Sequence, residues 1–318
     1  MRNAFIEALH KIAFDDPRIF LVVGDLGYSV VERFAEEFPE RFLNVGIAEQ
    51  NMAGIAAGLA NEGYHVFIYS IANFPLARCL EQIRNDICYH NLSVTIVAVG
   101  GGLSYGNLGY SHHATEDFST TIPLPNLRIF APGDPAEVLA VMKAIHNYSG
   151  PSYLRLGKAG EVVFHNKEPI INAGELVVIE EGKGVLLITV GGVLDLGFEI
   201  KKMLKPHKIE AAISSLPEIA PLSSESFRLM KESYELVVVI EEHRNGGVYS
   251  YLSDCLHVHE ITDGIKSPIF LMPLRIGIPP PASSGSLRFL RSKFNLSPDA
   301  CTSKIVSTLQ RIKQHNHS

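Results

Sequence analysis

A single carboxylate, Glu49, stands at the head of an apolar run of small residues, NVGIAEQNMAGIAAGLA at 44–60. Met52, Ile55 and Leu59 recur at helical spacing, so the run predicts a helix with Glu49 in its first turn. An acid in that place is favoured by the helix macrodipole and by capping geometry. Buried among apolar side chains, it could also share a proton with a ligand, as general acids and bases do. The local pattern leaves both interpretations open.

Two adjacent imidazoles, His112 and His113, follow a glycine-rich stretch that comes directly after a predicted strand. Loops at the carboxyl ends of strands line the sites of open sheets, so these side chains are placed for proton transfer or hydroxyl recognition. The alternative is that one histidine caps the turn at 115–117. No third ligand lies at a suitable spacing, so no metal site is predicted.

The elements that must position these residues are short β-branched strands alternating with helical patterns, which is typical of parallel sheets with helices on both faces. In the first half the strands are expected at 20–25, 65–70, 94–101, 127–132 and 152–157, and the helices at 48–61, 75–89 and 134–148. Asp134 before Pro135 predicts the start of the third helix. Gly54 and Gly58 let another backbone approach the helix of Glu49, which is expected to pack on nearly all sides.

The stretch 158–184 has glycine, asparagine and proline punctuation and predicts a linker. Beyond it the alternation restarts, with strands at 185–192, 209–215, 236–242 and 269–277 and helices at 193–204, 223–234, up to 256 and at 299–312. The predicted fold class is α/β, with two doubly wound, mostly parallel-sheet domains. The first is expected at 1–168 and the second at 169–318.

Composition narrows the range of partners. The chain has 318 residues, 46% of them hydrophobic, and a formal net charge of −6. An acidic chain with a pI near 6.1 argues against nucleic acid or an anionic membrane as the main partner. Four cysteines lie far apart without a CxxC pair, which indicates reduced thiols and neither a zinc site nor a disulfide framework. With no signal-peptide pattern and no 18-residue apolar run, a cytoplasmic protein is predicted.

Several segments resemble the transketolase and deoxyxylulose-phosphate synthase family, and they occur in the family's order. They are VVGDLGYS at 22–29, FPERFLNVGIAEQ at 38–50, YSIANF at 69–74, GYSHHATED at 109–117 and GPSYLRLGK at 150–158. The stretch IEEHRNGGVYS at 240–250 resembles the family's C-terminal domain more loosely. The resemblance implies a pyrimidine-binding domain for thiamine diphosphate, followed by a transketolase C-terminal domain.

The resemblance also implies roles for individual residues. Glu49 falls where the family's glutamate bonds to the cofactor's aminopyrimidine ring and promotes loss of the thiazolium proton. Asp25, Tyr69 and Phe74 fall at cofactor-binding positions, and which of the two aromatic rings stacks on the pyrimidine is left open. His112, with a catalytic role, and His113 are expected to reach substrate hydroxyls. Ser29 and Lys158 are expected to bind a substrate phosphate. Arg78 is either a solvated helix residue or a contact in the substrate channel.

The family's GDG and NN motifs, which bind the diphosphate and Mg²⁺, have no counterpart in this sequence. The resemblance therefore implies one half of a split enzyme, with those groups held by an N-terminal transketolase-like partner subunit. Two such pairs are expected to form a dimer of heterodimers. An exposed apolar surface should remain on the chain by itself.

The implied reaction is transfer of a two-carbon ketol unit between sugars or sugar phosphates. A decarboxylating enzyme of the deoxyxylulose-phosphate synthase or 2-oxoacid dehydrogenase beta type is an alternative, and so is a non-catalytic regulatory subunit. Leu108 and Gly100 stand where transketolases carry an aspartate and a histidine that bind substrate, and Lys158 replaces an arginine. A buried Leu108 would leave a substrate hydroxyl unpaired, so the substrate is expected to be a modified ketose that is deoxygenated, branched or not phosphorylated.

Overall fold

The computed structural model describes residues 1–263, 270–276 and 283–315. The strands, in chain order, are β1 (Ile19–Val23), β2 (Phe42–Asn44), β3 (His65–Ile71), β4 (Val94–Val99), β5 (Arg128–Phe130), β6 (Ser152–Leu156), β7 (Val177–Glu180), β8 (Gly184–Thr189), β9 (Ala211–Ser215), β10 (Glu218–Ala220), β11 (Tyr234–Glu241) and β12 (Phe270–Arg275). The α-helices are α1 (Arg2–Asp15), α2 (Glu32–Glu37), α3 (Glu49–Asn61), α4 (Phe74–Ala77), α5 (Leu80–Gln82), α6 (Asp117–Thr121), α7 (Pro135–His146), α8 (Leu194–Leu204), α9 (Ser224–Ser233), α10 (Val248–Asp263), α11 (Leu287–Lys293) and α12 (Pro298–His315). Shorter 3₁₀ or π turns lie at Pro39–Arg41, Ile83–Cys88, Gly106–Leu108, Tyr110–His112 and Lys205–His207.

The first sheet has seven strands in the order β10-β5-β6-β4-β3-β1-β2, and all neighbours except β10 and β5 are parallel. The chain adds β2 on one side of β1 and β3 on the other, so the direction of winding reverses there. Such a switch point leaves a crevice at the carboxyl ends of the strands. The successive side chains of β3 point to opposite faces, with Ile68 in the core beneath α3 and Phe67 in the core beneath α1 and α7.

The second sheet has five strands in the order β12-β11-β8-β9-β7, with β7 antiparallel at one edge. Its inner strands β8 and β11 are almost continuously apolar and buried, as expected for parallel strands covered on both faces. α8 and α12 cover one face and share a core cluster with it. The predicted fold class, α/β with two mostly parallel sheets, is confirmed.

One strand does not follow the predicted organisation. β10 belongs to the second half of the sequence but pairs antiparallel with β5 at the edge of the first sheet. The Arg128 guanidinium, through Nε and Nη2, donates to both carboxylate oxygens of the buried Glu218, at 2.6 and 2.7 Å. β10 thus covers an edge that would otherwise expose unpaired backbone groups. Because of this strand, the first sheet is built from both halves of the chain.

Two predicted helices differ in detail. The helix expected at 75–89 is broken into α4, α5 and a π turn, because Cys79 leaves the helical region with φ −118° and ψ 18°. The helix of Glu49 does not pack on all sides, since a Cβ added at Gly54 or Gly58 would meet no atom within 4 Å. That face of α3 is open. All four cysteines are free thiols, and three of them are buried.

The stretch between the sheets is fastened to α7 by one buried acid. Asp134 caps α7 as predicted, accepting a hydrogen bond from the Glu137 N–H at 2.9 Å. Its other oxygen accepts from the Phe164 and His165 N–H groups and lies 2.9 Å from His165 Nδ1. These bonds fix the path of the linker, whose first strand is β7.

A second buried acid, Glu137, completes this cluster. Its Oε2 accepts hydrogen bonds from the Gly133 N–H at 2.6 Å and from Ser215 Oγ at 2.8 Å, and its Oε1 lies 3.5 Å from His165 Nε2. Burial raises the pKa of Glu137 to about 7, although these hydrogen bonds oppose the shift. Burial lowers the pKa of His165, but the hydrogen bond to Asp134 and the charges of Asp134 and Glu137 raise it by more. Both pKa shifts favour the protonated forms, although Glu137 Oε1 and His165 Nε2 are 3.5 Å apart and form no hydrogen bond.

We expect Glu137→Gln to reduce the pH dependence of stability. The folded chain keeps a proton that an unfolded Glu137 releases above its ordinary pKa of 4.5, so stability is lost as the pH rises from about 4.5 to about 7. The raised pKa of His165 acts in the same direction. The glutamine amide can donate to His165 Nε2 at any pH, so the variant should gain up to about 3 kcal/mol over the wild type at pH 8. Urea unfolding at pH 5 and pH 8 measures this.

The exposed Glu62→Gln is the matched control and should leave the pH dependence unchanged. If Glu137→Gln is less stable than the wild type at pH 8, ionisation of the buried Glu137 does not destabilise the fold.

Candidate active site

Glu49 is held at the crevice of the first sheet by the start of α3. The preceding Gly46 has φ +74°, which turns the chain from β2 into the helix. The Glu49 side chain is only 5% exposed, and a Cβ added at Gly24, at the end of β1, would lie 3.7 Å from its Cγ. The predicted position in the first helical turn is confirmed.

The sequence suggested a purely apolar pocket for the Glu49 carboxylate, but the structure places a charged side chain beside it. Arg78 Nη1 donates to its Oε1 at 2.8 Å. Both side chains line an open cavity of about 500 Å³. The cavity is formed by Ile47, Ala48, Glu49, Gln50, Asn51 and Arg78. Ile47 at its rim is 79% exposed.

Phe74 and His112 continue this line of contacts. The Arg78 guanidinium lies over the Phe74 ring, with Cζ 4.0 Å from the ring centre. The His112 ring meets Phe74 edge-on, with ring centres 5.3 Å apart. The structure thus brings together four predicted residues, Glu49, Arg78, Phe74 and His112, in a continuous line.

The histidine loop, residues 103–113, is fixed from the side of α4 by a residue that the sequence did not single out. Asn73 Nδ2 donates to the carbonyl oxygens of His113 at 2.5 Å and Ser111 at 3.2 Å. Asn73 directly precedes Phe74 at the start of α4, where an asparagine is usually taken as a helix cap. Its side chain makes no such cap and instead holds the loop.

The two histidines differ in accessibility. His113 is only 4% exposed, and its Nε2 lies 3.5 Å from the Gly106 carbonyl oxygen. His112 faces the crevice. Burial, with the nearby His113 and Arg78, lowers the pKa of His112, so its ring is neutral at neutral pH and can accept a proton. Of the pair, His112 is the residue available to a ligand.

Tyr69 does not belong to this group. It points to the opposite face of the sheet, where it is buried and stacked on Phe5 with ring centres 5.9 Å apart. Side chains alternate strictly between the two faces along β3, so the strand register decides which face Tyr69 takes. The motif YSIANF by itself does not specify that register. The structure therefore does not bring Tyr69 to the crevice, and Phe74 is the predicted aromatic residue that lies near Glu49.

Asp25 and Ser29 lie in the turn after β1, at the same edge of the sheet. Asp25 exchanges two hydrogen bonds with the Asn44 side chain, both 3.1 Å long. Ser29 is exposed, and its N–H donates to Glu32 Oε1 at 2.6 Å. Both residues have positive φ, so the turn is tightly folded.

Lys158 follows a different strand from Ser29. It follows β6, which is three strands away from β1, a separation of about 14 Å across the sheet. Its Nζ lies 5.6 Å from the centre of the Tyr105 ring, and it lines a cavity of about 260 Å³ between the two halves. The joint phosphate site of Ser29 and Lys158 stays a prediction. Leu108, predicted to be buried, is 55% exposed because it lies at the tip of the histidine loop.

Comparison with known proteins assigns the family. Residues 1–160 match the family described as transketolase, pyrimidine binding domain, and residues 174–300 match transketolase, C-terminal domain. The chain belongs to the transketolase family. A putative transketolase C-terminal section from Methanocaldococcus jannaschii is 31% identical over 98% of this chain and 96% of its own length.

Other relatives of this transketolase-family chain bear on its assembly and substrate. One of the subunits of an apulose-4-phosphate transketolase from Actinobacillus succinogenes is 30% identical over 96% of this chain and 97% of its own. A solved structure described as a split-gene transketolase, an inactive β4 tetramer, is 32% identical, with a TM-score of 0.82 over 97% of each chain. A 1-deoxy-D-xylulose-5-phosphate synthase from Dictyoglomus thermophilum is 28% identical, and this chain spans half of its length.

Transketolase-family enzymes use thiamine diphosphate, and the residues at the crevice fit its aminopyrimidine ring. Among the described residues, Glu49 Oε2 has no hydrogen-bond partner and is free to accept one from a ring nitrogen. Phe74 offers a flat apolar surface, but Arg78 covers one of its faces. A ring stacked on that face would therefore displace Arg78 from Phe74, while Glu49 Oε2 is available with Arg78 still bound to Oε1. Within the described ranges, no group of three histidine, cysteine or acidic side chains is arranged to hold a metal, and no helix could span a membrane.

We expect the Glu49–Arg78 pair to show energetic coupling in a double-mutant cycle. Arg78→Leu leaves a buried carboxylate without its partner, and since Arg78 is 47% exposed the loss should be about 1 kcal/mol of unfolding free energy. The same substitution in a Glu49→Gln background should cost less, because no charge is then left unpaired. Urea unfolding of the four variants measures the coupling.

Arg84→Leu, which removes an exposed arginine from the neighbouring turn, is the control and should be close to neutral. Equal costs of Arg78→Leu in both backgrounds would show that the ion pair does not stabilise this edge of the fold.

Proposed function

We propose that this chain is the pyrimidine-binding half of a thiamine-diphosphate-dependent enzyme that transfers a two-carbon ketol unit between sugars or sugar phosphates. The observation that carries the proposal is the buried Glu49 carboxylate, which opens onto a cavity at the switch point of the first sheet. The chain's membership of the transketolase family supports the same conclusion.

Glu49 would hold a proton at a ring nitrogen of the aminopyrimidine. When bound, thiamine diphosphate supplies the carbon nucleophile of the reaction. Glu49 Oε2 would accept the hydrogen bond that orients the ring when the ring nitrogen carries that proton. Phe74 would pack against the ring from the side of α4. Asp25, in the turn after β1 at the same edge of the sheet, would contact the thiazolium end of the cofactor.

Arg78 would leave the Phe74 ring if the cofactor ring stacks on that face. Its guanidinium is half exposed and is held by one ion pair and one aromatic face, so displacement into the open cavity costs little. Once displaced, Arg78 lies beside the substrate path. It is then available to bind the anionic group of a substrate.

His112 would recognise a substrate hydroxyl and move its proton. The ring is neutral at neutral pH, stands beside Phe74 and is held by the Asn73 contacts to the loop. His113 supports the loop from inside and has no direct contact with substrate in this proposal.

The partner would be an N-terminal transketolase-like subunit that carries the GDG and NN motifs and holds the diphosphate and Mg²⁺. Large apolar side chains are exposed at this edge of the first sheet and are available to the partner. They are Tyr28, Ile47, Leu108 and Tyr110. The relatives named as one subunit of a transketolase and as a split-gene transketolase support a two-chain enzyme, and we propose a dimer of heterodimers in the cytoplasm.

The substrate would be a modified ketose. Leu108 offers no polar group to a sugar hydroxyl, although it is 55% exposed here and would have to be covered in the assembled enzyme, and Lys158 stands in place of an arginine. A relative named for apulose 4-phosphate supports a substrate other than the common pentose phosphates. Comparison of kcat/KM for xylulose 5-phosphate with a panel of deoxy, branched and unphosphorylated ketoses decides this, and a clear preference for xylulose 5-phosphate would refute it.

A decarboxylating reaction is the second candidate, because a 1-deoxy-D-xylulose-5-phosphate synthase is also a relative. Release of carbon dioxide from pyruvate by the reconstituted pair would favour that reaction, or the related 2-oxoacid dehydrogenase type, over ketol transfer. A purely regulatory subunit would need neither Glu49 nor the open cavity beside it.

The chain alone is expected to bind thiamine diphosphate weakly, since Mg²⁺ and the diphosphate supply much of the affinity and would be held by the partner. Adding the N-terminal-type subunit should produce tight, Mg²⁺-dependent binding. Titration calorimetry with and without that subunit measures both. Tight, Mg²⁺-dependent binding to the single chain would rule out the divided site.

A further inference from the structure

His243 joins the second half of the chain to the start of α6, directly behind the histidine loop. It follows β11 and is completely buried. Its Nε2 accepts a hydrogen bond from the Phe118 N–H at 3.1 Å, and its ring stacks on Phe118 with ring centres 5.3 Å apart. α6 has no cap from its own N-terminal residue, Glu116. A side chain 125 residues away in sequence therefore supplies the missing acceptor.

The contact fixes the tautomer of His243. Because the Phe118 N–H is a donor, Nε2 must carry the lone pair, and Nδ1–H then donates to the Arg244 carbonyl oxygen at 3.0 Å. Asp117 Oδ1 lies 3.6 Å from Nε2, too far for a competing hydrogen bond. Burial lowers the pKa of His243, which keeps the ring neutral. The imidazole is thus a fixed acceptor and has no free nitrogen for catalysis.

The residues beside His243 hold the base of the same loop. Glu242 Oε2 accepts a hydrogen bond from the Leu103 N–H at 2.9 Å, and the Arg244 N–H donates to the Thr115 carbonyl oxygen at 2.8 Å. Gly102 has φ +64°, and a Cβ added to it would lie 2.7 Å from Glu242 Cβ. The base of the loop therefore packs directly against Glu242, without room for a side chain at residue 102. Gly102 and Ala114 in turn exchange two hydrogen bonds that close the loop.

Two buried arginines stabilise the contact between Glu242 and the base of the loop. Arg155 Nη2 donates to the carbonyl oxygens of Ala114 at 2.8 Å and Glu242 at 3.1 Å. Arg291 Nε donates to Glu242 Oε1 at 2.6 Å. Both carboxylate oxygens of Glu242 are therefore engaged, one by the loop and one by α11.

The loop is also held away from its base, by the Asn73 side chain and by the Gly285 N–H, which donates to the Gly106 carbonyl oxygen at 3.1 Å. The contacts of Glu242 and Arg155 fix its base.

We propose that His243 and Glu242 are positioning residues, through which the C-terminal half sets the place of His112 at the crevice. The inference rests on the proposed function for its catalytic consequence, because His112 is the loop residue available to substrate. It assigns the C-terminal half a task in the reaction without a direct contact to cofactor or substrate. Loss of the His243 acceptor should loosen the loop base and leave Glu49, Phe74 and Arg78 in place.

The first test measures the loop directly in the isolated chain. His243→Phe keeps a ring that can stack on Phe118 but removes the acceptor, and about ten-fold faster amide hydrogen exchange is expected in residues 103–118. Exchange in α3 should not change. His243→Gln, which can still accept from the Phe118 N–H, should restore much of the protection. His207→Phe, on an exposed turn of the same half, is the control and should match the wild type.

The second test uses the enzyme reconstituted with its N-terminal-type subunit. His243→Phe should lower kcat/KM for the ketose donor about ten-fold, and His243→Gln should recover most of it. The Kd for thiamine diphosphate should stay within about two-fold of the wild type, because Glu49 and Phe74 do not depend on this contact. A merely structural role would weaken cofactor binding and catalysis together.

Unchanged exchange in residues 103–118 of His243→Phe would overturn the proposal, as would an equal loss of cofactor affinity and kcat/KM. If the wild-type pair shows no ketol transfer, the proposed function fails, while the exchange measurement still decides whether the contact holds the loop. Should His243→Phe not fold, Glu242→Gln serves instead. It replaces a charge-assisted bond to the Leu103 N–H by a weaker neutral one, so exchange should rise about three-fold, and no rise contradicts the proposal.

Discussion

The buried ion pair between Arg155 and Asp117 is the interaction on which the arrangement of the two halves depends. Arg155 Nε lies 2.9 Å from Asp117 Oδ2, which also accepts a hydrogen bond from Tyr153 Oη at 2.8 Å. Removing two charges from water is costly unless their remaining groups are satisfied. Arg155 is satisfied by backbone carbonyls from both halves, Ala114 and Glu242, whereas Asp117 Oδ1 has no hydrogen-bond partner among the described residues. The charge in β6 therefore joins α6, the histidine loop and the end of β11 into one unit.

The candidate site is built on the opposite principle, because its charge is left accessible. Glu49 has one oxygen held by Arg78 and one without a partner among the described residues, at the mouth of an open cavity. A rigid frame with one exchangeable contact suits a site that has to admit a ring cofactor and a second subunit. The hydrogen-bonded network behind the histidine loop provides the rigid frame. The Glu49–Arg78 pair provides the exchangeable contact.

Local sequence patterns predicted the fold class, most strands, the cap at Asp134 and the position of Glu49 in its helix, because each depends on residues close together in the chain. The strand register that buries Tyr69 and the pairing of β10 with the first sheet depend on which surfaces meet in the folded chain. Neither appears in a local pattern. His243 lies within IEEHRNGGVYS, a segment that resembles the family, but its contact with Phe118 spans 125 residues and could only be seen in the structure.

The most direct test of the central claim is the rate at which the thiazolium C2 proton of bound thiamine diphosphate exchanges with deuterium in the reconstituted pair. This rate reports the proton shared with Glu49 without involving any sugar substrate. We predict that Glu49→Gln slows the exchange by about 100-fold or more while the cofactor stays bound and the fold is intact, and that Glu62→Gln at the other end of α3 has no effect. Equal exchange rates in the wild type and Glu49→Gln would contradict the account and leave Glu49 as a structural acid at the start of its helix.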